Sequence, residues 1–255
     1  MLRLAVSALG LLATQVAAQC AREDLIAATD SLLEAQTAGI PDTIAPLAET
    51  VAYLEAFKTA DIATGILSHP LKIDFNRSLH DTTACATYTE IIVTDASHPY
   101  VIGTQMRFLD GKIANISSLV TDQGDWLFNA TGTYYWASRE KWDPIPEADR
   151  DTREVIQAAA DAYADLFNDK SVTVPWGHPC ARLEGGAYTG NGSENDRCDV
   201  GVPNGVNLAN RRYVIDETLG AVDVFIDFAT VPDSHEFRVE KGQLRYVHTL
   251  TVMGG

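Results

Sequence analysis

A histidine lies in the middle of the predicted strand Arg245-Tyr-Val-His-Thr-Leu-Thr251. Because side chains alternate between the two faces of a strand, Tyr246, His248 and Leu250 share one face. If that face lines an enclosed apolar pocket, His248 could titrate near neutral pH and remove a proton from a carbon acid. His248 is therefore a candidate catalytic base and Tyr246 a candidate substrate contact. A core histidine with satisfied hydrogen bonds is the competing interpretation.

An arginine and an aspartate recur four residues apart in both halves of the chain, as Arg77 with Asp81 and as Arg212 with Asp216. This spacing places both side chains on one face of a strand, where a structural ion pair is the default interpretation. Inside a pocket, Arg212 could instead stabilise an enolate or bind a carboxylate, and Asp216 could act as a general base. Both are therefore candidate catalytic residues.

Three polar residues, Arg182, Glu184 and Tyr188, surround a Gly185-Gly186 pair shortly after Cys180. A disulfide and a glycine turn would hold these side chains in fixed positions, as at the rim of a pocket. In that role Glu184 acts as an acid or base, while Arg182 and Tyr188 contact the substrate. An arginine–glutamate pair that braces a surface loop explains the same residues without a pocket.

His235 lies in an Asp-Ser-His sequence that leads into another predicted strand. His98 occupies a similar place in the first half of the chain. A histidine used in both halves fits a turn-stabilising role better than catalysis, so His235 ranks below His248 as a base. We predict that it contacts the substrate.

Much of the sequence occurs twice. Residues 98–121 resemble residues 234–252, and in each copy a strand runs into a glycine turn, at Gly111 and Gly242, and then into a second strand. This pattern is typical of a β-hairpin. A repeated hairpin predicts two similar units rather than one irregular domain.

Each predicted sheet follows an amphipathic helical segment, Arg22-Glu-Asp-Leu-Ile-Ala-Ala-Thr-Asp30 in the first copy and Arg153-Glu-Val-Ile-Gln-Ala-Ala-Ala-Asp161 in the second. Helices followed by antiparallel strands indicate an α+β fold, with N-terminal helices packed on a curved antiparallel sheet. We therefore predict a first unit at 20–140, a linker at 141–150 and a second unit at 151–255.

The first nineteen residues have the pattern of a secretory signal peptide: Arg3, an apolar run from Leu4 to Leu12, and small residues at Val16-Ala17-Ala18. No later segment has the ~18 uninterrupted apolar residues that a membrane helix needs. The sequence therefore predicts a protein that is secreted or lies in the lumen of the secretory pathway.

Cysteines and glycosylation sequons fit that compartment. The sequons are at Asn76, Asn115, Asn129 and Asn191. The four cysteines are Cys20, Cys85, Cys180 and Cys198, without metal-like spacing. Three disulfide connectivities are possible, and we prefer Cys20 with Cys85 and Cys180 with Cys198 because each pair stays within one repeat.

The net charge of −16 argues against nucleic acid or an anionic membrane as a partner, since both need clustered basic residues. The sequence has no Gly-x-Gly-x-x-Gly, Gly-x-Ser-x-Gly or His-Glu-x-x-His motif. We therefore predict no cofactor and no metal. The expected partner is a small apolar or anionic organic substrate, and two chains could associate through exposed sheets.

Three blocks carry a resemblance to a known family: Trp176-Gly-His-Pro-Cys-Ala-Arg-Leu-Glu-Gly-Gly-Ala-Tyr-Thr-Gly190, Asn210-Arg-Arg-Tyr-Val-Ile-Asp-Glu217 and Pro232-Asp-Ser-His-Glu-Phe-Arg238. They are similar to a fungal secreted family with tandem nuclear transport factor 2-like or ketosteroid isomerase-like (SnoaL-like) domains. The resemblance implies two tandem cone-shaped α+β-barrel units that enclose a small hydrophobic ligand. It also implies cofactor-free isomerase, cyclase or dehydratase activity, as in cyclases proposed to dimerise maleic anhydrides into maleidrides.

The residues and the resemblance together predict a cofactor-independent cyclase or isomerase of fungal secondary metabolism, of polyketide or maleidride type. A base from His248 or Asp216 would form an enolate, and the Arg212 cation would stabilise it. The alternative is a non-catalytic secreted protein that binds a small molecule in the same cone. An interaction protein with filled cones is a third possibility.

Overall fold

The computed structural model describes residues 20–254, so the predicted signal peptide, 1–19, lies outside the described residues. The first half forms β1 (Leu47–Glu55), β2 (Lys58–Thr59), β3 (Phe75–Asp81), β4 (Ala86–Val93), β5 (Tyr100–Leu109) and β6 (Lys112–Thr121). The second half forms β7 (Trp176–Glu184), β8 (Ala187–Tyr188), β9 (Leu208–Asp216), β10 (Ala221–Phe228), β11 (Val231–Glu240) and β12 (Gln243–Thr251). The helices are α1 (Arg22–Ala38), α2 (Ala130–Ala137) and α3 (Arg153–Leu166), with short 3-10 turns at Pro41–Thr43, Ile66–Ser68 and Glu147–Asp149.

The strands form two six-stranded mixed sheets with the same topology, β2-β1-β6-β5-β4-β3 and β8-β7-β12-β11-β10-β9. In each sheet the first strand of the unit pairs with the last long strand, and this pair, β1 with β6 or β7 with β12, runs parallel. The prediction of purely antiparallel sheets is therefore wrong for these pairs. The chain is a tandem α+β protein, as the repeated hairpin indicated.

Each long helix packs on one face of its own sheet. In α3, side chains at helical spacing, among them Ile156 and Tyr163, join a core that includes Val224, Phe237 and Val247 of the sheet. Helix α1 buries an equivalent stripe against the first sheet. A fully buried side chain of this kind contributes about 1.5–3 kcal/mol through apolar burial.

The opposite faces of the two sheets meet each other. Tyr88 of the first sheet packs edge-on against Phe225 of the second, with ring centroids 6.2 Å apart. Leu79, Leu119 and Val214 belong to the same buried cluster. Because one face is covered by a helix and the other by the partner sheet, central strands are buried on both faces.

Two reciprocal ion pairs tie the units together. Arg22 at the start of α1 donates two hydrogen bonds to Asp216 of the second unit, at 2.8 and 2.7 Å. Arg153 at the start of α3 donates two to Asp81 of the first unit, at 2.7 and 2.8 Å. The two pairings expected from the spacing of four, Arg212 with Asp216 and Arg77 with Asp81, are therefore wrong. Both aspartates are fully buried and take their partners from the other unit.

The structure pairs Cys20 with Cys85 and Cys180 with Cys198, the connectivity preferred from the sequence. Two disulfides are typical of extracellular proteins. Within residues 20–254, no helix combines the length and the apolar character needed to cross a membrane.

The four sequon asparagines lie in different settings. Asn76 and Asn191 are exposed, and Asn115 is half-buried. The Asn129 side chain caps α2 by accepting a hydrogen bond from the Gly132 N–H at 3.0 Å. Glycosylation at these positions stays a prediction.

Candidate functional site

A cavity of about 460 Å³ lies in the second unit. Its polar lining comes from three strands, which contribute Arg182, Glu184, Asp233, His235, Thr249 and Thr251, and from Thr230 in the turn before β11. Its apolar lining includes Phe167 after α3, Phe228 at the end of β10, and Val206. A concave apolar site with a few convergent polar groups is the usual form of a small-molecule site.

Asp233 and His235 form a buried pair at this cavity. They lie two residues apart on β11, so the strand places both on one face. His235 Nδ1 is 2.9 Å from Asp233 Oδ1, and the Thr251 hydroxyl donates to Asp233 Oδ2 at 2.8 Å. Burial raises the pKa of Asp233 above its usual range, although His235 opposes that shift. The Asp233 carboxyl therefore lies beside Nδ1, although neither Oδ1 nor Nδ1 has a hydrogen-bond partner among residues 20–254, and His235 lines the cavity.

Aromatic rings hold the His235 imidazole in place. Phe237 lies nearly parallel to it with centroids 5.9 Å apart, and Tyr163 and Phe167 are 5.4 and 6.2 Å away. Rings packed on an imidazole limit its rotation, so the direction of Nε2 is set by the core rather than by a ligand.

Arg182 and Glu184 provide the second polar pair, on β7. Arg182 Nη2 is 3.0 Å from Glu184 Oε1, and Arg182 Nη1 donates to the Tyr163 hydroxyl at 3.5 Å. Arg182 Nε and Thr249 Oγ1 are buried and have no hydrogen-bond partner within the described part of the chain. These two donors could serve an oxygen of a ligand, because buried donors are rarely left unpaired.

The first unit has no comparable pair at the equivalent positions. Strand register makes Tyr53 and Glu55 the counterparts of Arg182 and Glu184. The Glu55 carboxylate accepts hydrogen bonds from the Tyr53 hydroxyl at 2.5 Å and from the Ile66 N–H at 2.6 Å. Donors from within the first unit therefore satisfy the Glu55 carboxylate. The second unit, where buried donors lack partners, is the candidate site.

Strand register also revises the comparison made for His235. Leu109 pairs with Lys112 at one hairpin turn and Glu240 with Gln243 at the other. Counting back from these turns, His235 corresponds to Thr104, and the proposed equivalence with His98 is wrong. The second unit therefore has a histidine where the first has a threonine.

The cavity faces a loop held by the Cys180–Cys198 disulfide, since Gly201, Pro203 and Val206 of that loop line it. We expect replacement of both cysteines by serine to lower the free energy of unfolding by about 3 kcal/mol, because the open chain gains conformational entropy. Urea unfolding followed by circular dichroism measures this change. Unchanged stability would contradict a bracing role for the disulfide.

The matched control replaces Cys20 and Cys85, which lie outside the cavity lining. We expect both double variants to be destabilised. Only the Cys180/Cys198 variant should also lose affinity for Nile red, an uncharged dye that fluoresces in apolar pockets.

Three of the eight predicted site residues come together at the cavity: Arg182, Glu184 and His235. Tyr188 does not line it. The Tyr188 ring stacks on Trp136 at 4.0 Å, and its hydroxyl donates to Glu140 at 3.0 Å.

Arg212 and Asp216 lie away from the cavity lining. The Arg212 guanidinium covers the Phe57 ring at 3.7 Å and is 3.9 Å from Asp227. Asp216 accepts the bonds from Arg22 described above. Both residues act in contacts between the units.

The face assignment on β12 is wrong. Tyr246 and His248 point away from α3: Tyr246 stacks on Trp142 of the linker at 5.7 Å, and His248 Nδ1 lies 3.0 Å from Glu90 of the first unit. Thr249 and Thr251, on the opposite face, line the cavity. Sequence reasoning therefore missed both threonines, and it also missed Asp233. The period-two spacing of Asp233 and His235 could have indicated their shared face.

His248 belongs instead to a buried ion cluster between the sheets, built around Arg77. Arg77 Nε donates to Glu236 at 2.9 Å, and Arg77 Nη2 donates to Glu90 at 2.9 Å. The guanidinium lies 3.8 Å from the Trp142 ring centroid. Arg77 supplies the positive charge that these two buried carboxylates require.

Both nitrogens of His248 are occupied in this cluster. Nδ1 is 3.0 Å from Glu90 Oε1, and Nε2 is 2.7 Å from Glu140 Oε2. Burial and the Arg77 cation, whose Nη2 lies 3.0 Å from Nδ1, lower the pKa of His248, but Glu140 and Glu90 outweigh them and raise the pKa to about 10. An imidazolium held this way is not a base near neutral pH.

We expect the His248 cluster to weaken at alkaline pH. The folded pKa of about 10 exceeds the unfolded value of ~6.5, so the stabilisation is complete below pH ~6.5 and is lost as the pH rises through 10. The stability difference between wild type and His248→Gln should therefore shrink between pH 7 and 10. Urea unfolding at several pH values tests this, with exposed His98→Gln as the control. A constant difference would contradict a raised pKa.

A family model described as a domain of unknown function (DUF8021) matches residues 149–251. No curated protein matches the chain. Among solved structures, an NTF-2 like protein of unknown function from Burkholderia xenovorans LB400 is similar, with 15% sequence identity and a TM-score of 0.31. That match covers 41% of this chain and 88% of the bacterial chain.

Proposed function

We propose that the second unit catalyses cofactor-independent proton transfer at a carbon atom of a small organic ligand, leading to isomerisation or cyclisation. The observation that carries this proposal is the buried Asp233–His235 pair at a cavity of about 460 Å³. General acid–base catalysis needs a base held within reach of a bound ligand, and imidazole is the side chain used most often.

In this mechanism, His235 Nε2 removes a proton from a carbon next to a carbonyl group. The electron pair of the broken C–H bond becomes the enolate, whose oxygen accepts hydrogen bonds from Arg182 Nε and Thr249 Oγ1. The Asp233 carboxylate, 2.9 Å from Nδ1, stabilises the imidazolium that forms, while the packed aromatic rings keep its orientation. Isomerisation follows when the proton returns to another carbon, and cyclisation follows when the enolate carbon attacks an electrophile in the ligand.

The resemblance to secreted fungal proteins favours a natural-product intermediate as the substrate, and a maleidride-type cyclisation is one reaction of this class. The second candidate function is binding without catalysis. It is favoured by the ion pair between Arg182 and Glu184, which leaves the guanidinium partly neutralised.

Hydrogen exchange separates the two functions. Uncharged cyclic ketones such as 2-tetralone are first selected for binding through displacement of Nile red, then incubated with wild-type protein in D₂O. Mass spectrometry should show deuterium entering bound ketones faster than in buffer. Ketones that bind yet exchange at the buffer rate would contradict catalysis and favour the binding function.

A further inference from the structure

The segment that follows the first sheet, residues 122–129, contacts the second unit at the mouth of the cavity. Its Asn129 N–H donates to the Gly185 carbonyl at 3.3 Å, and Asp125 Oδ1 accepts from the Met253 N–H at 2.6 Å. Thr133, just beyond the segment, donates to the same Gly185 carbonyl at 2.5 Å. Residues contributed by the first half of the chain therefore complete a site in the second.

Gly185 permits this close approach. Its φ of +61° lies in the left-handed region, and a Cβ there would be 2.3 Å from the Trp126 carbonyl oxygen and 2.7 Å from Leu127 backbone atoms. Backbone atoms cannot move aside as a flexible side chain can. The backbone at Trp126 and Leu127 therefore packs directly against Gly185.

Trp126 has an unusual environment for a tryptophan of this chain. Trp136, Trp142 and Trp176 each pack against another aromatic ring. Trp126 has no ring contact in the described range 20–254, is 49% exposed and lines the cavity. Its aromatic face is available to a ligand.

The charges at the cavity are already balanced in pairs. Arg182 faces Glu184, and His235 faces Asp233. An anionic ligand would lie close to two carboxylates and would meet no unpaired cation among the lining residues. Met253, which lines the cavity and is half exposed, adds apolar surface there. The site favours an uncharged ligand.

We infer that Trp126 is a specificity-determining residue that selects an uncharged ligand with a flat apolar end by stacking on it at the cavity mouth. This inference rests on the ligand-binding part of the proposed function and is independent of the proton transfer. The offset stacking of two flat apolar groups adds to their burial, so the aromatic ring, rather than bulk alone, provides the selectivity.

Nile red, which is flat and uncharged, tests this inference by fluorescence titration of the full chain. We expect Trp126→Ala to weaken binding about tenfold and Trp126→Phe to stay within about threefold of wild type. Leu127→Ala is the matched control, because Leu127 is equally exposed at 49% but does not line the cavity. The Leu127→Ala variant should change the affinity less than twofold.

The charge preference is tested with the anionic dye 8-anilinonaphthalene-1-sulfonate. This dye should bind wild type more weakly than Nile red.

Equal affinity of wild type and Trp126→Ala for Nile red, or no binding by wild type, would overturn the inference. Tighter binding of the anionic dye would also overturn it. Failure of the catalytic proposal looks different: Nile red binding would depend on Trp126, yet no bound ketone would exchange deuterium.

Discussion

Replacing Arg77 by methionine is expected to lower the free energy of unfolding by about 3–5 kcal/mol. The substitution keeps a long apolar side chain under Trp142 but removes the cation that Glu90 and Glu236 share. Both carboxylates are fully buried, so neither can recover its hydration in the folded state. Urea unfolding at neutral pH measures the loss.

Arg212→Met is the matched control. Arg212 occupies the equivalent place in the second sheet. Arg77 on β3 lies opposite Glu90 on β4, and Arg212 on β9 lies opposite Phe225 at the matching position of β10. Its side chain is 39% exposed and serves no buried carboxylate pair, so we expect a loss of about 1 kcal/mol or less. Similar losses in the two variants would contradict the account of the cluster. If Arg77→Met does not fold, Glu236→Gln provides the milder test.

Substitution of His235 by glutamine is expected to slow deuterium exchange of a bound ketone by about 10²–10⁴-fold. Glutamine is polar enough to face Asp233 and long enough to fill the space between Tyr163 and Phe237, so folding should be kept. It cannot accept a proton from carbon, so the catalytic step should be lost.

Two measurements accompany that variant. Nile red affinity should remain within twofold of wild type, because binding depends on the cavity walls rather than on the base. His98→Gln, an exposed histidine in the first unit, should exchange at the wild-type rate. An unchanged exchange rate in His235→Gln would remove His235 from the mechanism.

The repeated hairpins could be read from the sequence because their signals are local. Strand β5 spans Tyr100–Leu109, and its turn at Asp110 and Gly111 has positive φ at both residues, which explains the glycine at the second position. The equivalent turn uses Lys241 and Gly242. The repeat also favoured the correct disulfide pairing, because each cysteine pair lies within one repeat.

The faces of β12 could not be read in this way. Its central residues are buried on both faces, by α3 and its core on one side and by the first sheet on the other. Alternation then places His248 and Thr249 on opposite faces but does not tell which of them lines the cavity.

The ion pairs between the units could not be predicted for a second reason: their partners are distant in the sequence. Arg22 and Asp216, for example, are 194 residues apart.

The most direct test of the central claim is the stereochemistry of deuterium uptake by a ketone that binds wild-type protein. A single base at a fixed position reaches one of the two hydrogens of the acidic CH₂ group, so NMR of the recovered ketone in a chiral solvating medium should show one of them replaced at early times. Replacement of both hydrogens at equal rates, no faster than in buffer, would contradict catalysis by His235 in the second unit.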